Sequence, residues 1–375
     1  MILPLFQNMS RARVDEQFVG SETYGFDAIR GVQAGNEFYV AMCPLKIIPK
    51  LFIFNDYDIP PELRAQRTLS ATRIPAIKNY ILNNPDSYIF SSLTASVDGV
   101  MKFTPAASLG QDGKLGRLYI NMDSRLLIND GQHRRKAIEE ALQERPDLGH
   151  EMISVVFFQD NGLKRSQQMF SDLNKNAMKP TKSLTILYDH RDVFSKFIVD
   201  LTSKIEIFKN RVDLEKTSIS NRSTKVFTLN GISDSTMRLL GKSKGRKLSA
   251  EDKEMITTFW QTVSNNIPEW QLLLQDKVSP HDLRKEFVHT NTNVLNALGI
   301  VGRTIMEEFP DTWKEKLRGL KNINWSRSNP EWQGRLIVNK QMVKNARGIE
   351  LAANTIMQKC GIKLPEDRLK HEAKS

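Results

Sequence analysis

The sequence contains no apolar run of about eighteen residues, the length a helix needs to cross a bilayer, so no transmembrane helix is expected. It has little cysteine. Cys43 and Cys360 are the only two in 375 residues, too few for a disulfide framework or a zinc site. Both read as buried apolar fillers. Zinc-finger spacing is absent, and there is neither an internal repeat nor a low-complexity tract. The opening Met1–Phe6 is apolar but lacks a basic lead and is too short for a signal peptide. The expectation is a cytoplasmic protein with no membrane contact.

What is present is ordinary soluble material with a large positive excess. Apolar residues make up 40% and charged residues 26%, the balance of a globular protein, and the length suggests about two domains. The net charge of +11 points to a polyanion. Nucleic acid comes ahead of a membrane surface, because no basic amphipathic helix stands out. The excess is concentrated. Residues 161–250 hold 18 Lys and Arg against 8 Asp and Glu, so this quarter of the chain carries nearly all of it. A solvated lysine-rich surface is the alternative explanation.

One stretch organises the rest, Asp130-Gly131-Gln132-His133-Arg134-Arg135. An apolar run, Leu126–Ile128, precedes it, and a helical spacing of Ala137, Ile138, Ala141 and Leu142 follows, so the stretch is a strand-to-helix turn. Gly131 supplies backbone freedom. Asp130 is placed to cap the helix. The first-turn amides make an anion seat, beside which His133, Arg134 and Arg135 add donors, arginine binding phosphate in a bidentate way. Three readings stay open: a nucleotide triphosphate site, a grip on a DNA backbone phosphate, and a plain structural turn. In a catalytic version His133 moves the proton and Asp130 holds Mg²⁺, a thin site for one carboxylate. Gln132 does no acid–base work.

The Asp-Gly-Gln-His-Arg motif resembles the signature of DGQHR-domain proteins, a branch of the ParB/sulfiredoxin-like group. Within it the chain is most similar to the DndB-like proteins of DNA sulfur modification. The likeness takes in Leu69–Ile74 with Asn84-Pro85, then Phe170–Asn174 and Lys216–Ser220. It covers most of the chain and is weakest over the last hundred or so residues. It implies a ParB/sulfiredoxin-like domain whose turn holds phosphates of ATP or another nucleoside triphosphate with Mg²⁺. It also implies that the segment with Arg67, Thr72 and Arg73 closes on the same pocket, making Arg73 a second phosphate contact. DndB-like proteins are described as repressors of their own operon and modulators of the modification pathway. The partners implied are operator double-stranded DNA and other sulfur-modification proteins, with a homodimer by analogy to repressors of palindromic sites.

Along the chain, residues 1–37 form an N-terminal segment with few periodic signals. Strands are expected at 38–42, 51–54, 88–90, 118–122, 126–128 and 153–158, the last reading as buried on both faces. The expected pair 118–122 and 126–128 joins at Asp123-Ser124, and a helix covers 74–82 up to Asn84-Pro85. The fold class is α/β (α+β): a mixed domain over 38–180, a basic helical and loop region over 181–247, and a helical domain over 248–375. Helices are expected at 163–173, 183–202, 281–308 and 335–359, and one opens at Ser249 with Asp252 as a capping box. Asn174 is expected to end a helix facing the pocket, alongside Asp172, Asn176 and Lys179.

The basic region supplies the DNA candidates: Lys216, Ser218, Ser220, Arg222, Ser223 and Lys225, then Lys242, Lys244, Arg246 and Lys247. Thr217 and Asn221 lie among the first group. Hydroxyls interleaved with cations suit phosphate contacts, which position a protein without reading bases, and Gly241 and Gly245 suggest an arm that orders on DNA. No helix-turn-helix can be assigned. Trp260, Trp270, Trp313, Trp325 and Trp332 read as core anchors. The leading function is a DNA-binding repressor of the phosphorothioate system, modulated by nucleotide or phosphate at the turn. The rivals are an ATPase or DNA-nicking enzyme using His133 and Asp130, and an adaptor for the modification complex.

Overall fold

The computed structural model describes residues 22–52, 72–106, 113–160, 168–169, 171–173, 180–241, 248–339, 341–343, 345–364 and 366–372. Contacts group the chain into two compact units, residues 1–178 and 179–375. Together they make a mixed α/β protein, with the large sheet in the first unit and mostly helices in the second.

The first unit is built on β1 (Thr23–Gln33), β2 (Asn36–Pro44), helix α1 (Arg73–Asn83), β3 (Leu93–Asp98), β4 (Met101–Pro105), β5 (Leu115–Asn121), β6 (Arg125–Asp130), helix α2 (Gln132–Glu144) and β7 (Met152–Gln159). The seven strands run in the order β4-β5-β1-β2-β7-β3-β6, and only β3 and β7 are parallel. The two strands expected to join at Asp123-Ser124 do so, β5 ending at Asn121 and β6 opening at Arg125, and they do not pair with each other. β3 instead runs on into β4 past Gly99, and β5 into β6 past Ser124. Asp98 faces Arg125 and Met101 faces Ile120, so both ends of the order belong to one bent hairpin. The bend needs a glycine, since a Cβ on Gly99 would fall 2.2 Å from the Ser124 hydroxyl. The sheet therefore closes into a ring around Phe26, Tyr39, Leu118, Ile120, Val155 and Phe157.

Several expectations need correction here. The segment 1–37 contains β1, whose alternation of small, polar and apolar side chains buries only Phe26 and Ala28. Leu51 closes a helical turn, Ile48–Leu51, with a proline in its first positions, and residues 53–54 lie outside the described ones. Residues 88–90 do not join the sheet, and Ile89 is 80% exposed. β7 forms where the apolar run predicts it but is buried on one face only, through Ile153, Val155 and Phe157.

The second unit contains α3 (Lys182–Tyr188), α4 (Val193–Lys204), a two-residue parallel pair β8 (Val212–Asp213) and β9 (Phe227–Thr228), then α5 (Leu229–Leu240), α6 (Ala250–Asn266), α7 (Pro268–Leu274), α8 (Pro280–Glu286), α9 (Thr292–Glu308) and α10 (Ala346–Lys359). The predicted capping box of Ser249 with Asp252 is formed at α6. Three predicted helices are shorter because caps inside them restart the chain. Asp192 caps α4 and splits 183–202, Asn291 caps α9 and splits 281–308, and Asn345 delays the last long helix to Ala346. One apolar cluster runs from Ile186 to Ile362 and draws on both sides of the expected boundary at 247/248. Trp260, Trp270, Trp325 and Trp332 are fully buried in it. Among the described residues no helix is long and apolar enough to cross a membrane.

Candidate functional site

The turn at 130–135 forms as the sequence predicts, between β6 and α2, but its chemistry is arranged differently. Gly131 sits at φ +102°, ψ 13° and is itself the N-cap, and no side chain caps the helix. A Cβ there would lie 2.3 Å from Leu93 Cδ2, so glycine is needed for both the dihedral and the space. Asp130 is one residue too early to reach the first-turn amides. Its Oδ2 instead accepts from Arg134 Nη2 at 2.6 Å, one helical turn on.

Both arginines are committed to the protein. Arg134 also donates through Nη1 to the Ser91 carbonyl, to Ser91 Oγ at 2.5 Å and to the Ser92 carbonyl at 3.0 Å. It thereby ties α2 to the segment entering β3. Arg135 is 7% exposed and bonds Glu139 Oε2 at 2.7 Å and the Pro49 carbonyl at 3.0 Å. The expected fork of two guanidinium groups facing a phosphate is thus not the arrangement present. Their partners lie four residues along the helix, 130 with 134 and 135 with 139, a spacing legible in the sequence as ion pairs.

At the turn Gly131 is buried and Gln132 and His133 are half-buried. Arg73, the first residue of α1, is exposed, and its charge acts on His133. Burial first, and then the repulsion of Arg73, hold the His133 imidazole below its usual pKa, so the neutral ring predominates near neutral pH. Gln132 Oε1 is buried with no hydrogen-bond partner among the described residues, as is Asn129 Oδ1 one step before the turn. Asp172 is exposed, whereas Asn174, Asn176, Lys179 and Arg67 lie outside the described residues.

In the second unit the basic candidates form an anchored loop between β8 and β9. Val226 N donates to the Arg211 carbonyl at 2.7 Å, closing its base. Asp213 Oδ1 accepts the amides of Glu215 and Lys216 at 3.0 and 2.8 Å. Arg284 from α8 reaches under the loop and donates to the carbonyls of Ser220, Asn221 and Lys225, and His281 Nδ1 lies 2.9 Å from the Asn221 carbonyl. The main chain is thereby held from inside while Lys216, Ser218, Ser220 and Arg222 are exposed and Ser223 and Lys225 half-buried. Lys225 Nζ is used within the fold, on the Asn210 carbonyl at 2.9 Å. Lys242, Lys244, Arg246 and Lys247 lie outside the described residues. Arg284, the residue that shapes this loop, was missed in the sequence, because nothing in Pro280–Glu286 marks it apart from a surface helix.

A family model for DndB, described as DNA-sulfur modification-associated, matches residues 26–363. The chain belongs to the DndB family. The match begins inside β1 and ends just beyond α10, so sheet and helical unit both belong to the family's shared region. No curated protein and no solved structure matches the chain. DndB membership ties the protein to DNA sulfur modification.

Proposed function

We propose that this DndB-family protein is a DNA-binding regulator, a repressor, of the phosphorothioate modification system, with the turn at 130–135 responding to a nucleotide. The observation that carries the reading is the loop 216–225, pinned through its carbonyls with cations and hydroxyls outward. A loop already ordered loses little conformational freedom on binding. Its exposed groups suit backbone phosphates of a duplex. Lys242, Lys244, Arg246 and Lys247 belong to the reading by their charge alone. Operator double-stranded DNA is the partner, other sulfur-modification proteins are further partners, and a homodimer suits a palindromic operator.

At the turn, ATP or another nucleoside triphosphate with Mg²⁺ is the ligand in this reading. The first-turn amides of α2, with His133 and Arg73, would hold phosphate oxygens, and the carboxylate oxygen of Asp130 not paired to Arg134 would meet the metal. One observation favours the enzyme as a second reading. The lowered pKa of His133 keeps its ring unprotonated near neutral pH, the form a general base requires. An ATPase or nicking activity would then use His133 with Asp130.

The test is duplex binding to operon-derived DNA across a salt series, comparing the protein with a Lys216→Ala, Arg222→Ala double variant. Losing two phosphate contacts makes the slope of log K against log salt shallower by about 1.8. An unchanged slope and affinity would remove the loop, and with it the regulator reading, from consideration.

A further inference from the structure

We infer that the second unit holds a separate anion site, a cleft of about 590 Å³ that takes a small phosphorylated molecule of nucleotide size. The cleft is bounded by the loop 216–225 through Thr217, Ser218, Ile219 and Asn221. It is distinct in sequence and in unit from the turn at 130–135.

Three long helices start at this cleft. α5 begins after Thr228, α9 after Asn291 and α10 after Asn345, and all three caps line the cleft. None has an acidic residue in its first turn, so no carboxylate offsets the partial positive charge of about one half that each helix start carries.

Three arginines, Arg238, Arg284 and Arg327, line the same cleft, and among the described residues no acidic side chain does. Three arginines elsewhere in the unit have carboxylates, Arg335 with Glu372, Arg368 with Glu350 and Arg303 with Glu307, whereas Arg211 bonds main-chain carbonyls. Those at the cleft have no carboxylate partner among the described residues. Arg284 donates to main-chain carbonyls alone, and Arg327 likewise, to those of Arg284 at 2.9 Å and Phe287 at 3.4 Å. The Arg238 guanidinium makes no hydrogen bond or ion pair among the described residues. Glu307 and Glu350 share a neighbouring cleft with Arg238 but are held by Arg303 and Arg368. Glu286 attracts the charge of Arg327 from nearby without forming an ion pair, and burial pulls the pKa of Arg284 and Arg327 down. Cations withdrawn from water without a counter-ion are costly, and an anion in the cleft offsets that cost.

A further observation points to a ligand. Thr290 lines the cleft and is 9% exposed, and among the described residues its hydroxyl makes no hydrogen bond. The hydroxyl oxygen keeps some exposure within a residue that is otherwise buried, so it opens on the cleft and is available to an incoming oxygen. Ile219, Val226 and Ile349 add an apolar stretch of wall, which gives a nucleoside moiety a surface that inorganic phosphate does not need. The volume lies in the range of small-ligand pockets and is too small for a duplex, which would meet the outer side chains of the loop instead.

The experiment is hydrogen exchange on the full chain with inorganic phosphate, ATP or a short duplex. The expected result is that ATP protects the amides of 228–232, 291–296 and 345–350 more than inorganic phosphate does. Arg238→Ala should weaken this response by about tenfold or more, the effect of losing a charge-assisted bond. Thr290→Val should weaken it less, and Arg73→Ala should leave it intact. Native tryptophan fluorescence of each variant verifies that the second unit is folded. Absence of protection at millimolar ATP, protection by duplex alone, or protection that survives both Arg238→Ala and Thr290→Val would overturn the inference.

Discussion

Replacing Gly131 by alanine tests the hinge on which the first unit's site depends. A residue with a Cβ at φ +102° costs about 1–2 kcal/mol. The new methyl falls 2.3 Å from Leu93 Cδ2 and 3.1 Å from Arg134 Nη2. Leu93 is fully buried and cannot swing into solvent, so the overpacking adds about 1–3 kcal/mol. Alanine's smaller loss of chain entropy returns about 0.4–1 kcal/mol. The net loss is about 1–4.5 kcal/mol, which raises the open population of this region roughly 5- to 2,000-fold. All five tryptophans, from Trp260 to Trp332, lie in the second unit, and this separates the readouts. Amide exchange over 125–144 should accelerate by that factor while the tryptophan unfolding transition in urea stays in place. Exchange within about threefold of the original would refute the account of the turn.

Two further outcomes follow from the titrating groups. His289 is fully buried, accepts from Trp270 Nε1 at 2.9 Å on Nδ1, and has Nε2 3.5 Å from Glu269 Oε2. Burial outweighs the pull of Glu269 and lowers its pKa, so its contribution to stability is complete above the unfolded value of about 6.5 and is lost as pH falls below it. Urea midpoints followed by tryptophan fluorescence should drop between pH 7.5 and 5.5, and an equal drop in His289→Gln would show that another group is responsible. At the turn, Arg73→Ala removes the repulsion on His133, so the ring's pKa should rise in an NMR titration and ATP affinity at the turn should fall. An unmoved His133 titration would place Arg73 elsewhere.

Local devices were legible in the sequence. The glycine turn, helix α1 before Asn84-Pro85 and the Ser249 capping box each depend on a few adjacent residues, and each forms close to where it was expected. The caps at Asp192, Asn291 and Asn345 carry the same kind of signal but sit inside apolar periodic stretches, which masked them. Sheet order was not legible, since β7 joins β2 to β3 across about sixty residues on one side and more than a hundred on the other, by pairings that no local pattern records. The direction of the arginines was half legible. Charge density marked Arg134 and Arg135 as ligands, while the four-residue spacing to Asp130 and Glu139 marked them as internal clamps, and the internal clamps are what forms. Arg238, Arg284 and Arg327 gather only through folding, from three separate stretches.

The closed ring of the first unit also has a bearing on how the chain is made. β7 lies between β2 and β3, so a nascent polypeptide that has reached only α2 exposes two unsatisfied strand margins and has no means of joining them. Ribosomal synthesis runs from the N-terminus, and domains generally fold as units. Assembly of this half must therefore wait for Met152–Gln159 to emerge. A chain cut short before that point carries sticky borders of the kind that recruit other molecules.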